Sequence, residues 1–196
     1  MILGAIAPRW PRAFSSVGLG SVVLAEMSRF WIAGYNSSAL ERDQDWPSID
    51  ITYLLKSIAS EVSGPLAFAF GLACIFACYV IGEIVISGGR YVFLSNRAKR
   101  KFAIRSVKIA KIKNEVLTEL YFRRDSTNEL MLGVALCGLM NITAGIILTL
   151  IDGRDWGFMI IETLIGATAI AAGLSVSFQL GQEMDEKIEI FEHDME

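Results

Sequence analysis

Apolar positions along the chain fall in long unbroken blocks, not in the short periodic runs of a soluble fold. Residues 65–87 carry a single charge, Glu83, and residues 130–151 carry none. Beyond the polar turn Asp152-Gly153-Arg154-Asp155 the chain is apolar again over residues 157–180, with Glu162 near the start of that block. A run of about 18 apolar residues is long enough to cross hydrocarbon as a helix, so each block predicts a membrane-spanning helix. The short turn makes the last two an antiparallel hairpin over 130–180. Pro65 suits a first helical turn, where its missing N–H costs nothing, and Gly88-Gly89 predicts the end of that helix.

Residues 13–35 are rich in Val, Leu, Ile and Gly but contain Glu26 and Arg29. A charge at a helix centre costs roughly 2.5–3.5 kcal/mol on insertion scales. The two residues lie three apart on one helical face, where each can neutralise the other. Phe30, Trp31 and Tyr35 form an aromatic group at the distal end, as a membrane boundary does. Two readings stay open: a true first span within an N-terminal segment 1–35, or an interfacial or buried amphipathic helix. Four spans are favoured over three.

Between spans the polarity changes sharply. Residues 89–129 hold eleven Lys/Arg against four Asp/Glu, a net of +7. The segment predicts one long basic helix over 97–122, because no Pro or Gly interrupts it. Residues 36–63 carry five acids against Arg42 and Lys56, and Ile51, Leu54, Leu55, Ile58 and Val62 recur at helical spacing. They predict a short amphipathic helix. The tail 181–196 is acidic, with seven acids against one Lys over 182–196. The positive-inside rule puts the connector 89–129 in the cytoplasm, which places the tail inside and 36–63 outside. The fold class is therefore all-α: a polytopic integral membrane protein, multi-pass in a bacterial inner membrane, with a cytoplasmic C-terminus.

Composition supports this class: 53% of the 196 residues are hydrophobic, only 20% are charged, and the mean hydropathy is +0.46. A typical soluble domain is about 25% charged. Three cysteines, all within apolar blocks, and one histidine, His193, leave no disulfide framework and no histidine-based metal site or acid–base pair. No Gly-rich phosphate loop, HExxH, CxxC pair or GxSxG occurs. No enzyme activity, metal or cofactor is predicted. The basic connector lacks interleaved aromatics and a base-reading pattern, so direct nucleic-acid binding is not expected.

The candidate functional residues form three groups. Asn141, at the middle of an uncharged span, and the charges Glu26, Arg29 and Glu162 are candidates for an intramembrane polar contact or a pore. Intramembrane charge marks function by default, and an amide in hydrocarbon needs a partner. Gly71, Cys74, Cys78 and Gly82 share one helical face, and with Gly133 and Gly173 they are candidates for close helix packing, within the chain or between copies. Lys99, Arg100, Lys101, Arg105, Lys108, Lys111 and Lys113 on the connector could meet anionic lipid, a soluble partner or the acidic tail. Glu183, Asp185, Glu186, Ile188 and Phe191 in the tail mix acid with apolar side chains, which suits a segment that orders on a partner.

The layout of several spans, a basic cytosolic helix between them, a tight outer hairpin and a charged cytosolic tail looks like that of the small membrane subunits of bacterial anti-phage defence systems, such as the four-span membrane subunit of the Kiwa system. The resemblance is one of architecture, and no functional residue is carried over. It implies a homo-oligomeric membrane sensor or effector, with a tetramer as the working number, acting with a cytosolic partner. From the residues themselves the leading function is a non-enzymatic oligomeric subunit that anchors and regulates such a partner. The alternative is an ion-conducting channel or pore lined by Asn141, Thr149, Thr168 and Ser175.

Overall fold

The computed structural model describes residues 10–41, 64–112, 115–152 and 156–193. Among these residues the chain forms five helices: α1 (Trp10–Glu41), α2 (Pro65–Phe93), α3 (Asn96–Ile112), α4 (Glu115–Asp152) and α5 (Trp156–His193). Three contain segments long and apolar enough to cross a membrane: Ala67–Phe93, Thr118–Ile151 and Met159–Ile190. Residues 36–41 continue α1, and the predicted outer helix marked by Ile51, Leu54, Leu55, Ile58 and Val62 lies outside the described residues.

Helices α1, α2, α4 and α5 form a bundle. Ser16 approaches Gly82 while Gly20 approaches Cys78, so α1 and α2 run antiparallel. Gly138 meets Gly166 and Gly173 meets Met131, which makes α4 and α5 the predicted hairpin. Helix α2 crosses α4 where Gly89 lies against Leu132 and Gly133. At Gly20, Gly82 and Gly89 a Cβ would collide with backbone of the facing helix, so bare backbone is what lets these helices touch. Val23, Val85 and Cys137 form a small buried cluster at the joint of α1, α2 and α4, backed by Leu19, Ile81 and Leu136. Outside it the bundle is apolar and open: Phe68, Phe76, Ile84, Leu150, Ile160 and Leu164 are all more than 54% exposed. Against lipid such a surface carries no penalty, whereas in water it would be an aggregation site.

Helices α4 and α5 have 38 residues each. At 1.5 Å per residue each is about 57 Å long, against about 30 Å of hydrocarbon. Their apolar halves fill the bundle, and their polar halves project from the same end. There α3 packs beside them, and the three make a short helical stalk. Ile109 on α3, Tyr121 on α4, and Met184 and Ile188 on α5 form its buried core.

The structure corrects several boundaries. Helix α2 does not stop at Gly88-Gly89 but continues to Phe93; the two glycines sit inside the helix because α4 presses against them. Helix α2 ends where Leu94 turns extended, and Ser95 then caps α3 by accepting the Ala98 N–H at 3.2 Å. The basic connector is not one helix over 97–122. Ile109 and Tyr121 share one core, whereas 12 residues of straight helix would set them about 18 Å apart, so the chain reverses between α3 and α4. The tail is not a separate segment either, since α5 runs unbroken to His193.

Candidate functional site

Polar side chains gather at three levels. The first lies inside the bundle, toward the end away from the stalk. The sequence places Arg29 one turn from Glu26, and the guanidinium donates to both Glu26 oxygens, at 2.7 and 2.9 Å. Its other arm pairs with Glu162 on α5. Glu162 is 7% exposed; it lies against Gly145, whose missing side chain leaves room for the carboxylate. Asn141 Nδ2 donates to the Glu162 backbone oxygen at 3.0 Å. Glu26, Arg29, Glu162 and Asn141 therefore come together in one intramolecular cluster. Two carboxylates share one guanidinium, which leaves one unit of negative charge. Glu162 as the second partner of Arg29 is not legible in the sequence, because 133 residues separate the two.

The second level closes the bundle on the stalk side. Arg12, near the start of α1, donates to Glu83 through Nη2 at 3.0 Å and Nε at 3.3 Å, and to Glu129 through Nη1 at 3.1 Å. The Ser16 hydroxyl donates to Glu83 at 2.7 Å, and Arg90 donates to Glu129 at 2.6 Å. Two cations and two anions from α1, α2 and α4 thus balance in one layer. Sequence reading passed over Arg12, Ser16, Arg90 and Glu129. The usable signal was that Arg12, Glu83, Arg90 and Glu129 each lie at or near the end of an apolar block.

The third level is the stalk. Arg105 on α3 grips Asp185 on α5 bidentately, at 2.6 and 2.5 Å, and donates to the Gly181 carbonyl at 3.1 Å. Arg124 on α4 pairs with Glu183, and the Ser177 hydroxyl donates to Asn128. Phe102 lies between the guanidinium groups of Arg90, 5.3 Å from the ring centre, and Arg105, at 5.4 Å, so an aromatic face links the ionic layer to the stalk. A small cavity lined by Phe102, Tyr121, Asp125, Asn128 and Met184 sits beside it. One oxygen of Asp125 is buried without a protein partner.

The candidate contact residues divide accordingly. Arg105, Asp185, Glu183 and Ile188 are consumed within the chain, so the tail residues at 183–188 order on their own connector. Lys99 stacks over Tyr91 at 4.5 Å. Arg100, Lys101 and Glu186 are exposed, and Lys108 is half-buried. Lys113 and the side chains of Lys111 and Phe191 lie outside the described part of the structure. Of the packing candidates, Gly82, Gly133, Gly173 and the Cys78 backbone lie at helix crossings. Gly71 faces open space and Cys74 is exposed, so neither packs within the chain. Gly166, one of the small residues of the last apolar block, also lies at a crossing, and Gly20, Gly89 and Gly138 make crossings that the small-residue pattern does not mark. Among the described residues no group of three His, Cys, Asp or Glu could hold a metal ion.

The fold thus defines a multi-pass, all-helical membrane protein with a polar helical stalk at one end. No protein-family model matches the sequence, and no curated protein and no solved structure matches it.

Proposed function

We propose that the chain is an oligomeric membrane subunit that crosses the bilayer four times, with its stalk in the cytoplasm, and that the stalk anchors and regulates a cytosolic partner in anti-phage defence. One observation carries the anchoring role: α4 and α5 run without a break from the apolar bundle into the stalk. A continuous helix transmits tilt or rotation along its length, so a change at the membrane moves the stalk surface. Helix α3, with seven Lys/Arg and no acid, argues for the cytoplasmic side. The pairing of Glu26 and Arg29 with each other and with Glu162 supports α1 as the fourth span, because it offsets the insertion cost of the charges.

The outward face of α4 suits the partner. Phe122 is 64% exposed on a polar stalk, beside the exposed Glu119 and Arg123. An aromatic beside a cation is a common anchor at interfaces. The test expresses the chain with its genomic neighbours in a bacterial host challenged with a panel of phages. Protection that falls when Phe122→Asp is combined with Arg123→Glu, at unchanged membrane abundance, supports the reading. Absence of protection by the unaltered chain against every phage overturns the defence role. Protection unchanged in the double variant overturns the α4 surface.

A further inference from the structure

Helix α3 buries Phe102, Arg105 and Ile109 against the rest of the stalk. At about 3.6 residues per turn its opposite side presents Arg100, Ile104 and Val107, with Ile104 49% and Val107 56% exposed. Two branched aliphatic side chains beside a cation, on the most basic helix of the chain, have no intramolecular cover. The stalk portion of α5 has the reverse character. It buries Met184 and Ile188 and turns Glu186, Glu189 and Ile190 outward, Ile190 being 59% exposed. The α3 surface is an aliphatic pair beside a cation, the α5 surface a single aliphatic side chain beside two carboxylates, and the charges are opposite.

We propose that these two surfaces meet between copies of this chain: the outward face of α3 on one copy receives the outward face of the α5 tail of the next. The proposal rests on the oligomeric reading above and names the contact that builds the oligomer. The register agrees. Arg105 pairs with Asp185 and Ile109 shares a core with Ile188, so α3 and the α5 tail run parallel and Val107 stands at nearly the height of Glu186. Copies held in one bilayer share orientation and height, so residues at one level in one copy meet that level in its neighbour. Confinement to the membrane plane also raises the effective concentration, so a two-helix contact too small to hold a soluble dimer is sufficient here. Because the two surfaces differ, the contact is head-to-tail and generates a ring when the rotation closes. It leaves the α4 face with Phe122 and Arg123 free for the cytosolic partner.

Two differently tagged forms of the full chain, one with Val107→Cys and one with Glu186→Cys, are co-expressed in a background of Cys74→Ser, Cys78→Ser and Cys137→Ala and treated in membranes with a short bismaleimide. The expected product is a linked pair carrying both tags, reduced about tenfold when Glu189→Lys and Ile190→Lys are added to the second form. A Val107–Val107 link in place of the mixed one means a two-fold α3 contact and overturns the proposal. So does a link from Val107 to a different protein or to lipid. Tags that co-purify without any link overturn this contact but leave the oligomer standing. Tags that do not co-purify overturn the oligomeric reading itself. A photo-crosslinking residue at Val107 in a chain that keeps its three cysteines gives the same readout if the cysteine-free background does not accumulate, and must map to 182–190 of another copy.

Discussion

Arg29 on α1 and Glu162 on α5 are joined by an ion pair that ties the first helix of the bundle to the last, and Glu26 completes it from one turn away. Unpaired, each of these charges would make its helix a poor membrane span. Removing only the cation leaves two carboxylates facing each other in an apolar bundle. Breaking a buried pair from one side costs about 3–5 kcal/mol. Arg29→Met is therefore expected to lower the melting temperature in detergent strongly, and the triple variant Arg29→Met, Glu26→Gln, Glu162→Gln to restore most of it. Tryptophan-fluorescence melts measure both. A triple variant no better than the single one would mean that the three charged side chains do not act as a unit.

The helix crossings make a second prediction. At Gly82 and Gly166 a side chain has no room: Ser16 backbone blocks the first and Gly138 with Ile142 blocks the second. Overpacking of this kind costs about 1–3 kcal/mol or more. Gly82→Leu and Gly166→Leu should reduce the folded yield in membranes, whereas Gly71→Leu, at a position facing open space, should not. Fluorescence-detected size exclusion of the three variants separates these outcomes.

A third concerns the stalk. Ile188 is 4% exposed in the core with Ile109, Tyr121 and Met184. Its truncation to Ala removes about 2–4 kcal/mol of packing. Glu119→Ala, exposed on α4, should cost almost nothing. Loss of the core should free α3, so limited trypsin digestion of membranes should cut within 97–108 faster in Ile188→Ala than in the unaltered chain or in Glu119→Ala. Equal rates would place α3 elsewhere than on α5.

The fourth is topological. With four spans, a reporter fused after residue 44 and one fused after residue 196 report opposite sides of the membrane, and a reporter at the N-terminus agrees with the C-terminal one. With three spans, the two ends report opposite sides. Alkaline phosphatase and fluorescent-protein fusions read the difference directly.

The helical class, the three apolar spans and the tight hairpin are written in the sequence, because burial in lipid selects residues one at a time by polarity and a block of apolar side chains needs no partner to declare itself. The Glu26–Arg29 pair is equally local, since a helix brings residues three apart together whatever surrounds it. Pairing across the bundle is different. That Glu162 completes Arg29, that Arg12 serves both Glu83 and Glu129, and that the acidic end of α5 folds onto its own basic α3 depend on which helix lies beside which. Local polarity cannot encode that choice. It is set where bare backbone at Gly20, Gly82, Gly89 and Gly138 allows helices to approach, and only the packed bundle decides which glycines those are.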